Sequence, residues 1–114
     1  MITKRIIKVP IYDYKVTIVV ADSREEAKSI YPNIGDDTDG IVLEDKNCSV
    51  IIIPPNNPST IVHECEHLKN CIWSYIGQKT DSTNDEADAY LVEYLFKQVS
   101  KVVAKHNSKK LLDT

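Results

Sequence analysis

Two histidines separated by three residues, with a glutamate directly after the first, make His63-Glu64-Cys65-Glu66-His67 the stretch of this chain best suited to chemistry. On an α-helix, residues i and i+4 lie on one face about 6 Å apart along the axis, so both imidazoles can converge on one ion. Imidazole nitrogen is a zinc ligand, and in the pattern H-E-x-x-H the intervening glutamate serves as general base. Glu64 would project toward the same cleft and accept a proton from water that the metal has acidified. Zinc catalysis needs three protein ligands and one open position, so the motif predicts a further donor elsewhere in the chain.

The histidines converge only if their segment is helical, and the flanking residues predict that it is. Asn57 can cap the orphan N–H groups, Pro58 suits the first helical position and Gly77 is a natural stop, which predicts a helix over 57–76. Ile61, Cys65, Leu68, Ile72 and Tyr75 recur at alternating helical steps and define one apolar stripe. Projection at about 100° per residue sets His63, Glu64 and His67 on the flank bordering that stripe, with Glu66, Lys69 and Asn70 on the outward arc. The plain alternative is a core-edge helix whose two histidines happen to fall four apart.

A second long helix is predicted from Asn84 to Lys105 after a polar connector over 77–83, with Ala87, Leu91, Tyr94, Leu95 and Val102 on its apolar side. Its start is the natural source of the third ligand, and Glu86 is the residue we select. His67 lies about 13 Å from the end of its own helix, and the connector can span about 23 Å, enough to return beside it. Yet Thr83-Asn84-Asp85-Glu86 also has capping-box form, in which Glu86 would only satisfy a backbone N–H. Asp88 falls among Leu91, Leu95 and Val99, where an unpaired carboxylate is costly. It is therefore a rival ligand, an acceptor for a histidine N–H, or a sign that the helix is packed on several sides. On residue chemistry alone both stay open.

The remaining elements follow from punctuation and patterning. Ile6-Ile7-Lys8-Val9 and Lys15 to Val20 are strand material, and Pro10 makes the first of these an edge strand or ends it. Ser23-Arg24-Glu25-Glu26 has capping-box form and opens a short helix that stops before Pro32. Asn33 to Gly40 is a polar loop whose three aspartates do not meet the EF-hand pattern, so it reads as a solvated turn. Ile41-Val42-Leu43 and Val50-Ile51-Ile52-Ile53 read as a β-hairpin whose exposed edge could hold an extended peptide. The tail from His106 to Thr114 is polar and expected to fray.

At 114 residues the chain is one domain, over 1–114, with 42% hydrophobic and 27% charged residues. The segment 1–56 is expected to be mostly strands plus one short helix. A net charge of −3 with no basic stripe argues against nucleic acid. No apolar run reaches membrane-spanning length, and the N-terminus leads into alternating residues rather than a signal-type run. Cys48, Cys65 and Cys71 form no disulfide framework and fit reduced thiols in a cytoplasm. Cys71 does not extend the motif, because His63 to Cys71 is about 12 Å of helical rise. We read all three cysteines as small apolar residues.

H-E-x-x-H followed, after 18 residues, by Glu86 in Asn84-Asp85-Glu86-Ala87-Asp88-Ala89-Tyr90 resembles the gluzincin metallopeptidases. The stretch from Glu86 to Glu93 is similar in pattern to small phage- and mobile-element-associated metallopeptidases that act on repressors, and to short zincin-like proteins of tailed bacteriophages. The resemblance covers residues 41–96 well and the first 40 loosely. It implies an α+β, minimal zincin-like core: a small antiparallel-containing sheet, an active-site helix and a second long glutamate-bearing helix. It implies Zn2+ on His63, His67 and Glu86 with Glu64 as base, and a protein or peptide as substrate. The chain is shorter than most active relatives and shows no clear transition-state donor; Tyr75, Tyr90 and His106 are the candidates. The rival expectation is a non-catalytic zincin-shaped binding protein, a phage-encoded factor that occupies a host protein, with zinc structural or absent.

Overall fold

The computed structural model describes residues 1–35, 39–83 and 85–112. The expected turn at Asp36 and Asp37, and Asn84 as the first residue of the second helix, lie outside the described residues. The fold is α+β: strands β1 (Ile2–Val9), β2 (Tyr14–Ala21), β3 (Ile41–Asp45) and β4 (Cys48–Ile53), and helices α1 (Arg24–Ile30), α2 (Pro58–Ile76) and α3 (Glu86–Leu112). The sheet runs β1-β2-β4-β3. β2 and β4 pair in parallel, while the two outer pairs are antiparallel.

Patterning explains the layers. The central strand β2 is apolar on both faces because both faces are covered. Val16, Ile18 and Val20 join Ile51 and Ile53 of β4 in a core closed by Ile61, Leu68 and Ile72 of α2 and by Leu91, Leu95, Val99 and Val102 of α3. The alternate residues Val19, Ala21 and Ile52 face Ala27 of α1 and Ile34 on the other side. β1 ends at Val9, directly before Pro10, and is an edge strand as its proline predicts. The β3–β4 hairpin forms as expected, joined through Lys46 at φ 46°.

Helix ends follow their caps. Ser23 accepts from the Glu26 amide to open α1, and Asn57 accepts from the Thr60 amide at 3.2 Å to open α2. Gly77, at φ 76°, turns its amide back onto Ser74 and Trp73 to close α2, a left-handed conformation that glycine adopts without a steric penalty.

Two expectations need correction. α3 starts at Glu86 and continues to Leu112 rather than ending at Lys105 with a frayed tail. The cause is tertiary. His106 is fully buried, its Nδ1 2.7 Å from Thr3 Oγ1 of β1 and its Nε2 2.8 Å from Asp22 Oδ1. Lys110 adds a bridge to Asp22 at 3.0 Å, and the Met1 amine pairs with both Asp22 and Glu26. A polar-looking tail is thus pinned to the start of β1 and the end of β2. The second correction concerns Lys69, which is 3% exposed rather than on the outward arc. α3 packs over that flank of α2 and brings Asp88 to meet it.

Candidate metal centre

α2 places the two histidines on one face, as their spacing requires, but on its outward arc rather than on the flank bordering the apolar stripe. Both rings are exposed, with centroids 4.8 Å apart and planes at 78°. Their Nε2 atoms stand 3.2 Å apart. The contact is an N–H···N bond whose direction depends on the tautomer. Imidazole nitrogens are zinc ligands, so a pair this close could supply two of them to one ion.

Glu64, about 100° around the helix from His63, turns toward the sheet and is 6% exposed. It borders a cleft of about 390 Å³ together with His63, Thr60, Ser59, Asn57 and Gly40. Gly40 makes this approach possible: a Cβ there would stand 2.8 Å from Thr60 Cγ2, 3.0 Å from Glu64 Cγ and 3.2 Å from the Ile52 carbonyl oxygen. Only a residue without a side chain lets the chain enter β3 this close to the first turns of α2. From there β3 follows α2. Glu44 near its end reaches Cys71, whose thiol burial first, and then the Glu44 carboxylate, push up to about 11. Among the described residues β3 pairs only with β4, so its outer edge has no strand partner there.

The acidic start of α3 lies on the opposite flank of α2. Asp88 accepts from the Trp73 indole N–H and stands 2.9 Å from Lys69 Nζ. Those two donors, opposed in part by burial, hold its carboxyl below the ordinary range. Lys69 also meets Glu66 at 2.7 Å. Burial disfavours its charge, but the bonds to Glu66 and Asp88 outweigh that and raise its pKa. Asp88 is therefore committed to holding the two helices together. Glu86 is exposed, and two residues before Asp88 it lies about 160° around α3 from the face that meets α2. Among the described residues no group of three His, Cys, Asp or Glu side chains could hold a metal. The structure thus places His63 and Glu64 on one cleft, with His67 beside His63, and does not add Glu86 or Asp88 to them.

The candidate donors fare in the same way. His106 has both ring nitrogens engaged in the α3–β1 clamp. Tyr75 packs edge-on against Tyr14 at 5.5 Å, and Tyr90 is exposed in a groove beside the β1–β2 turn and Trp73. The cysteines are free thiols, and burial raises that of Cys65 to about 12, as suits an apolar packing role.

Two features of this region escape a reading of the sequence. Gly40 and Thr60 give no composition signal, because their importance is a close approach between distant segments. The Lys69–Asp88–Trp73 cluster did leave one. Asp88 inside an apolar stripe is costly alone and so implies a partner, whereas Lys69, read as outward-facing, gave no such sign. Among the described residues no helix is long and apolar enough to cross a membrane. Comparison with protein-family models, curated proteins and solved structures finds no match to this chain.

Proposed function

We propose that this chain is a zinc-dependent peptidase acting on a protein substrate in the cytoplasm, with His63 and His67 as metal ligands and Glu64 as general base. The observation that carries the proposal is the convergence of two exposed imidazoles, Nε2 to Nε2 3.2 Å, beside a glutamate that borders a cleft. When bound, zinc supplies Lewis acidity toward a scissile carbonyl and acidifies water. Glu64 accepts the proton of the attacking water and returns it to the leaving amine. His63, which lines the cleft, and His67 beside it would hold the ion, and their exposure would leave it open to substrate. The unpaired edge of β3 offers main-chain hydrogen bonds to an extended peptide, running beside Glu64 rather than across it.

Glu86 remains the third ligand implied by resemblance. For it to serve, the first turn of α3 would have to release Asp88 from Lys69 and Trp73 and turn about its axis. That requirement favours a second reading, a non-catalytic zincin-shaped binding protein in which the pair holds a structural ion or none.

The test is the metal content of protein purified without added zinc, together with peptide hydrolysis by Glu64→Gln. The peptidase reading expects about one zinc per chain in both forms and a loss of turnover of roughly 10²–10⁴-fold in the variant. Unchanged turnover in Glu64→Gln sinks the mechanism. Zinc retained in Glu86→Ala would remove that residue from the ligand set.

A further inference from the structure

A second surface lies across α2 from the cleft, where α2 and α3 diverge. The groove there measures about 510 Å³ and has an apolar floor of Val62, Ala89, Val92 and Phe96. Val62 is half exposed although it is aliphatic and lies in a helix packed against the sheet and α3. The rim is acidic: Glu66 on one side, and Asp85, Asp88 and Glu93 on the other. Lys69 answers Glu66 and Asp88, and Lys97 answers Glu93 at 2.9 Å. Four carboxylates against two ammonium groups leave two negative charges around an apolar trough. The carboxylate of Asp88 suits the N-terminal end of the α3 dipole, but Glu66 on α2 and Glu93 two turns into α3 have no such reason to be there.

We propose that this groove docks a basic amphipathic helix of a partner protein, with aliphatic side chains on the Val62–Phe96 floor and Lys or Arg over the acidic rim. Charge complementarity selects the sign of the partner, and the apolar floor selects its amphipathic character. From Asp85 to Phe96 the groove runs about 16 Å, the length of three helical turns. The occupant would lie along α2 on the side away from Glu64, so docking leaves the cleft open. This proposal goes beyond the peptidase reading and does not depend on it.

The probe is a fluorescein-labelled amphipathic peptide of about 12 residues built from Leu and Lys, titrated with metal-free protein in chelator and followed by anisotropy. Controls are a Leu/Glu peptide of the same pattern and a Leu/Lys peptide with its apolar face scrambled. We expect saturable binding of the first alone, weakened by added salt and weakened roughly tenfold or more in Asp85→Lys/Glu93→Lys. Val62→Lys, which changes the floor at an exposed position, should weaken it as well. Circular dichroism and a thermal melt of each variant confirm that the fold is kept. Equal binding of the scrambled peptide would reduce the effect to charge attraction and overturn the proposal. Full affinity in both variants, or no binding of the first peptide, would overturn it too. Concentration-dependent dimerisation abolished by Asp85→Lys/Glu93→Lys would show instead that the groove takes the lysine-rich α3 end of a second copy. Loss of zinc or of turnover bears on the cleft alone, because every arm of this experiment is run without metal.

Discussion

The two flanks of α2 carry similar residues to opposite ends. On the α3 side, Lys69 and Trp73 are buried and closed onto Asp88, and each polar group is consumed by the packing of one helix on another. On the β3 side, His63 and His67 stand in solvent, and Glu64 borders a cleft kept open by a glycine. A polar group that must pair to be buried stabilises a fold. One that keeps its lone pairs facing solvent remains available for chemistry. The difference lies in which neighbour the tertiary structure brings, not in the residue types.

The largest break in this comparison comes from the closed flank. Asp88→Ala would leave the Lys69 ammonium buried with Glu66 alone, and it should lower unfolding free energy by about 3 kcal/mol in urea titration. Its zinc stoichiometry should not change. If it loses the metal with the fold intact, Asp88 belongs with the imidazoles and the division into two flanks fails.

Gly40→Ala tests the open flank. The new methyl meets the Ile52 carbonyl at 3.2 Å and Glu64 Cγ at 3.0 Å, and overpacking of this kind costs about 1–3 kcal/mol. A variant as stable as the parent would show that β3 does not confine Glu64.

The acid limb separates both flanks from the α3 clamp. The bond from His106, opposed by burial and supported by Lys110 and the Met1 amine, holds the Asp22 carboxyl well below the usual carboxylate range. A depressed folded pKa means that its stabilisation is in force above the unfolded value, about pH 4, and is lost as pH falls through the folded pKa. Asp22→Asn should therefore cost about 1–3 kcal/mol at pH 7. The loss should shrink below about pH 4, as read from urea midpoints across pH. A constant difference at every pH would remove the ionised carboxylate from the account.

The smallest stability effect belongs to the imidazoles. His63→Ala in metal-free protein should shift stability by no more than about 0.5 kcal/mol, as for an exposed side chain, while abolishing zinc binding in calorimetric titration. A large loss of stability without metal would make the pair structural.

Much of this molecule was legible in the chain itself. Asn57, Pro58 and Gly77 bound α2 to the residue, and the spacing of His63 and His67 set their convergence. These are local properties: capping, φ preference and helical pitch act within a few residues. Pro10 ended β1, and the apolar runs at 41–43 and 50–53 paired as a hairpin for the same kind of reason. The fate of Asp88, the burial of Lys69, the extension of α3 through His106 and the approach of Gly40 to Glu64 are of another kind. Each depends on which segment arrives from far along the sequence, and the desolvation of a charge or the clearance beside a glycine exists only once both partners are in place. The sequence by itself determined where the histidine pair stands; only the tertiary structure decided which flank of its helix α3 would take up.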